Sequence, residues 1–108
     1  MIFVDTYAKL KDCMSWLSQQ TVIGLDTETT GLNPLKHRVL LIQVGTDAVQ
    51  YIIDVARVEK YIPEFLATLN LPCITSVLQN AVFDYGMLYS NFNFRLENFV
   101  CTDRKSVV

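Results

Sequence analysis

Histidine is almost absent from this chain of 108 residues, with a single copy, and there are only three cysteines, three prolines and four glycines. The cysteines, Cys13, Cys73 and Cys101, lie far apart and form no CxxC pair. That excludes a disulfide framework and a cysteine-rich zinc site. They read as reduced core or surface thiols. The lone histidine, His37, is remote from all three and reads as no metal ligand. Basic excess is lacking too: nine Lys and Arg stand against eleven Asp and Glu, a net charge of −2. This argues against sequence-independent coating of a phosphate backbone, but not against an enzyme that grips one strand end through bound metal. The longest apolar runs, Val39-Leu40-Leu41-Ile42 and Tyr51-Ile52-Ile53, fall far short of the ~20 residues of a membrane span. The start, Met1-Ile2-Phe3-Val4-Asp5, has no basic stretch and no signal-peptide core. No membrane association and a cytoplasmic location are expected.

What is present is a core. Apolar residues make up 51% of the chain, too many for a disordered segment. Ile2 to Val4 is a short strand, and Asp5 or Thr6 can cap a helix with an apolar stripe at Leu10, Cys13, Met14 and Leu17. Thr21 to Asp26, Arg38 to Thr46 and Val49 to Asp54 read as three strands on short connections, an antiparallel meander. Gly31 and Asn33-Pro34 mark the loop from Thr29 to His37. Val58, Tyr61, Ile62, Phe65, Leu66 and Leu69 follow helical spacing, with Pro63 a mild objection. A strand from Cys73 to Leu78, a helix capped by Asn80 and running to about Ser90, and a strand from Glu97 to Thr102 complete the order. One α/β domain with a mixed sheet fits it.

Two acids, Asp26 and Glu28, sit one residue apart at the end of the second strand, in Gly24-Leu25-Asp26-Thr27-Glu28-Thr29-Thr30-Gly31-Leu32. Strand positions i and i+2 face the same way, so both carboxylates point into one volume. Like charges so placed call for a cation between them, and Mg²⁺ or Mn²⁺ favours carboxylate oxygen. A second stretch, Leu78-Gln79-Asn80-Ala81-Val82-Phe83-Asp84-Tyr85-Gly86-Met87-Leu88, puts Asn80, Asp84 and Met87 on one helix face just after a strand. If that strand lies beside the one carrying Asp26, three carboxylates converge. Two metals about 3.5–4 Å apart could then serve phosphoryl transfer to water.

DTETTGL with QNAVFDYGML downstream resembles the DEDD-type 3′–5′ exonucleases, above all the proofreading domain of bacterial DNA polymerase I and ribonuclease D. The resemblance runs from the first strand to about Thr102. It implies a ribonuclease-H-like mixed sheet with flanking helices, incomplete at the C-terminus. It also implies removal of single nucleotides from a 3′ end by a two-metal mechanism. Asp26, Glu28 and Asp84 match the family's metal ligands, Mg²⁺ or Mn²⁺ being the ions implied. Thr29 and Leu32 match residues that meet the terminal nucleotide, Asn80 one that positions it, and Gln79 a polar contact of the polymerase branch. The implied partner is a nucleic-acid 3′ end. Single-stranded DNA is the first expectation, in a domain that continues into a polymerase, and an RNA 3′ end as in ribonuclease D is the alternative. Lys36, His37 and Arg38, beside the site loop, read as a solvated turn rather than as phosphate contacts.

The resemblance also implies a third motif, Tyr or His followed four residues later by Asp, and none follows Thr102. Residues 1–102 are therefore expected to be the N-terminal part of an exonuclease domain. Residues 103–108, Asp103-Arg104-Lys105-Ser106-Val107-Val108, read like translated sequencing adapter and are expected to be a non-native tail. The chain alone should then be poorly stable and nearly inactive. A non-catalytic remnant that only binds nucleic acid or a partner protein is the rival from another class.

Overall fold

The structure is a computed structural model that describes residues 1–102; the expected tail lies outside the described residues. Six strands form one mixed sheet in the order β1-β4-β3-β2-β5-β6. They are β1 (Ile2–Val4), β2 (Val22–Thr29), β3 (Val39–Gly45), β4 (Gln50–Asp54), β5 (Thr75–Leu78) and β6 (Phe99–Cys101). β2, β3 and β4 pair antiparallel, as the meander reading predicts. β1 joins β4, β5 joins β2 and β6 joins β5, all in parallel. The helices are α1 (Tyr7–Leu17), α2 (Ile62–Leu69) and α3 (Ala81–Phe92).

All three helices cover one face of the sheet. Leu10, Cys13 and Leu17 of α1, Phe65, Leu66 and Leu69 of α2, and Met87 and Leu88 of α3 are buried there with Ile23, Leu25, Ile42, Val44 and Ile53 of the strands. The opposite face has no helix among the described residues. It presents Val22, Gly24, Asp26 and Glu28 of β2, all exposed, with Gln43 and Val77 beside them. A sheet covered on one side needs period-two patterning, and β2 alternates strictly from Val22 to Glu28.

Two boundaries differ most from the sequence expectation. β2 continues through Thr29 instead of ending at Asp26, so both acids lie inside a paired strand. A register shift interrupts that pairing between Glu28 and Thr29; such bulges re-aim side chains beside sites. The helix read from Val58 begins with two short 3₁₀ turns, Val55–Arg57 and Glu59–Tyr61, before α2 starts at Ile62. Pro63 thereby occupies the first turn of α2, where its missing N–H costs nothing. At α1 the cap is Thr6, whose hydroxyl accepts from the Lys9 N–H at 3.3 Å.

Candidate active site

The C-terminal end of β2 lies between an antiparallel neighbour, β3, and a parallel one, β5. A change of strand direction leaves a crevice at carboxyl ends, where open α/β sheets place their ligands. α3 starts directly after β5 and carries Asp84 in its first turn.

Asp26 and Glu28 are exposed on the open face, as the spacing predicts, and Thr27 between them is buried on the helix-covered face. Asp84 is also buried, only 3% exposed. Its Oδ1 accepts the hydroxyl of Thr27 at 2.5 Å. Asp26 Oδ1 accepts the backbone N–H of the same Thr27 at 2.9 Å. Thr27 therefore links two carboxylates that approach the strand from opposite sides. They are within electrostatic reach: burial pushes the Asp84 carboxyl up, the Thr27 hydroxyl pulls it down, and the Asp26 charge pushes it up again.

The three acids are not gathered into one ready-made cage. Among the described residues no three His, Cys, Asp or Glu side chains come together as a metal cluster. The reason is the side from which each reaches the strand: α3 packs on the helix-covered face, whereas Asp26 and Glu28 point to the open one. The donor chemistry nevertheless suits a hard dication. Asp26 and Asp84 each commit one oxygen to Thr27, and among the described residues no side chain donates to the other oxygen of either or to Glu28. Carboxylate oxygens of this kind bind Mg²⁺ or Mn²⁺.

The remaining sequence-predicted residues divide. Gln79 lines a groove of about 570 Å³ on the open face together with Asp26, Gln43, Gly24 and Val77. Asn80 occupies the cap position of α3, exposed, but its side chain makes no capping bond. Thr29 is half-buried, and its hydroxyl donates to the Gly31 carbonyl at 2.7 Å. Leu32 is 83% exposed at the crest of the loop.

Thr27 is the residue that sequence reasoning missed. The signal existed: period two forces it inward, and a buried hydroxyl needs a partner. The cysteines behave as read. Among the described residues no disulfide joins them; Cys13 is buried and Cys73 exposed, and burial pushes the Cys13 thiol up to about 12. No helix among the described residues is long and apolar enough to cross a membrane.

The sequence model of the 3′–5′ exonuclease family matches residues 1–108. No curated protein sequence matches the chain. Among solved structures, the catalytic core of RRP6 from Trypanosoma brucei is 25% identical with a TM-score of 0.84, over 94% of this chain and 28% of that one. Escherichia coli RNase D is 22% identical with a TM-score of 0.80, over 93% and 26%. Brucella melitensis NrnC with bound Mg²⁺ is 24% identical with a TM-score of 0.74, over 94% and 50%. The chain thus spans little more than a quarter of the first two. From the full-length family match and the sheet shared with these nucleases, the chain belongs to the 3′–5′ exonuclease family, on the ribonuclease-H-like fold.

Proposed function

We propose that the chain carries the first two acidic motifs of a metal-dependent enzyme that removes nucleotides from nucleic-acid 3′ ends. Asp26, Glu28 and Asp84 are its ligands for two divalent ions, Mg²⁺ or Mn²⁺. The observation that carries this reading is the Thr27 link. One residue fixes one oxygen of Asp26 and one of Asp84, so the free oxygens are held in place beside a groove at a strand switch. When bound, the ions would supply an activated water and charge neutralisation at the scissile phosphate. The chain's own groups bind and orient: Leu32 packs on the terminal base, Thr29 and Asn80 position the nucleotide, and Gln79 adds a polar contact from the groove.

For the substrate, Gln79 in the polymerase-like position supports single-stranded DNA. RNA fits at least as well, because the neighbours include an exoribonuclease of structured RNA processing and an RNase D complexed with RNA U12. On the DNA reading the domain continues into a polymerase. Residues 1–102 act as the N-terminal part of the nuclease domain, with the water-orienting third motif supplied from outside them.

The test is Mn²⁺ binding by electron paramagnetic resonance together with shortening of 5′-labelled DNA and RNA oligonucleotides. Expected are Mn²⁺ binding that Asp26→Asn and Asp84→Asn each abolish, and slow loss of single nucleotides from the 3′ end that EDTA stops. Oligonucleotide binding that is indifferent to Mn²⁺ and to these variants would point to the non-catalytic remnant and overturn the reading.

A further inference from the structure

The loop between β2 and β3 follows Thr29 and carries Leu32, two of the residues read as nucleotide contacts, yet it is not held by its own apolar packing. Leu32 is 83% and Leu35 89% exposed. Hydrogen bonds hold it instead: the Thr30 N–H donates to the Arg38 carbonyl at 2.9 Å, the Thr30 hydroxyl accepts the Arg38 N–H at 3.0 Å, and a further set meets at the neighbouring His37. The Nδ1 of His37 accepts the Asn33 N–H at 2.9 Å, and the His37 N–H donates to the Asn33 carbonyl at 2.8 Å. Asn33 Oδ1 in turn accepts the Leu35 N–H at 2.9 Å. The imidazole also lies on Gly31: a Cβ there would come within 2.6 Å of His37 Cε1 and Nε2. Gly31 has no positive φ, so glycine is required for room rather than for backbone freedom.

The His37 carbonyl accepts from Asn91 of α3 at 3.3 Å, and Asn91 Oδ1 accepts the Val39 N–H at 3.0 Å. Ser90 donates to the Pro34 carbonyl. The helix that carries Asp84 therefore also fastens this loop from its other end.

We propose that His37, in its neutral form, is the positioning residue that holds the Thr29–Leu32 stretch ready for the terminal nucleotide. The proposal deepens the exonuclease reading and rests on it for the role of Thr29 and Leu32. Nδ1 can accept only while unprotonated, which fixes the proton on Nε2. A proton on Nδ1 sets two donors against each other, releases the Asn33 N–H and frees the ring from Gly31. Substrate affinity is then lower with the protonated ring than with the neutral one. The charged groups around the loop balance: Lys36 and Arg38 flank His37, and Asp54 and Glu59 line the same cavity of about 490 Å³. α3 presents the uncharged Ser90, Asn91 and Phe92 to it.

His37 is the sole histidine, so its ring signals are unambiguous by NMR. In the full chain, the neutral ring is expected as the Nε2–H tautomer, with the Gly31 and Asn33 amides titrating at its midpoint. Affinity for a single-stranded oligonucleotide with a free 3′ end, measured in Ca²⁺, is expected to drop about five-fold across that midpoint, the equivalent of one lost hydrogen bond. His37→Asn, whose Oδ1 accepts at any pH, should keep the high-pH affinity throughout. His37→Ala should be weak at every pH. An Nδ1–H tautomer, or an affinity that falls with pH as steeply in His37→Asn as in the wild type, would overturn the proposal. No oligonucleotide binding at any pH would sink the exonuclease reading instead, and the tautomer and the two amides would then decide the His37 latch alone.

Discussion

Thr27 and Asp84, 57 residues apart in sequence, are joined by a hydrogen bond in which the buried hydroxyl donates to the buried carboxylate. This bond connects the central strand to α3 at the point where the two acidic motifs meet. Thr27→Val preserves shape and deletes the donor, leaving Asp84 buried with one partner fewer. The expected cost is about 1–3 kcal/mol in urea unfolding, the range for orphaning a buried polar group. Mn²⁺ affinity should fall with it, because the free oxygen of Asp84 is no longer held in place. Thr27→Ser should restore both. A Thr27→Val protein as stable as the wild type would show that the bond contributes nothing.

Asp84 also sets a pH dependence that can be signed. Burial holds its carboxyl above the ordinary value of 3.8, so in metal-free protein the folded state binds the proton more tightly than the unfolded chain. Stability is then greatest below 3.8 as far as this group is concerned. It declines as pH rises from there to the raised folded value. At neutral pH the cost is fully present. Asp84→Asn removes it while keeping an oxygen for the Thr27 hydroxyl. In EDTA at pH 7 its Tm should equal or exceed that of the wild type. With Mn²⁺ the order should reverse, since ligand binding stabilises only the chain that binds. A Tm of Asp84→Asn well below the wild type in EDTA would contradict the assigned cause.

Most of the fold was legible because its period was clean. The alternation from Val22 to Glu28 placed Asp26 and Glu28 on one face, and the shared helix face of Asn80, Asp84 and Met87 put Asp84 with a residue that is buried, although Asn80 itself is exposed. The face from which Asp84 reaches the strand was not legible. It depends on all three helices sharing one side of the sheet, a property of chain crossings rather than of any local stretch. The start of α2 was missed because Val58 and Tyr61 keep helical spacing, although Val58 lies between the two 3₁₀ turns and Tyr61 ends the second. His37 was read as part of a solvated turn. The role proposed for it comes from a five-residue hydrogen-bonded turn, Asn33 to His37, and from the space left by Gly31, neither of which composition reveals.

The thiols differ enough in environment to be separated by rate. Cys13 lies on the buried stripe of α1, with its thiol pushed up to about 12 by burial. Thiolate is the reactive form, so at pH 8 iodoacetamide should modify exposed Cys73 readily and leave Cys13 untouched until the chain unfolds. Peptide mapping after brief labelling, with and without urea, checks this. Early labelling of Cys13 in native buffer would mean that α1 does not stay docked on the sheet.

Gly86 interrupts α3 midway, between the turn that carries Asp84 and the residues that fasten the loop. A Cβ there would meet only Pro34, at 3.5 Å from Cγ and 3.9 Å from Cβ, both ordinary contacts. Glycine in a helix interior costs up to about 1 kcal/mol relative to alanine. Gly86→Ala is therefore expected to stabilise the chain by roughly 0.5–1 kcal/mol, raising the urea midpoint with an unchanged slope. The added methyl should also pack the Pro34 loop more firmly on the helix, so amide exchange of Lys36 and His37, whose N–H groups bond to the Asn33 carbonyl, should slow. Destabilisation would show that the loop needs to approach α3 more closely than this contact allows.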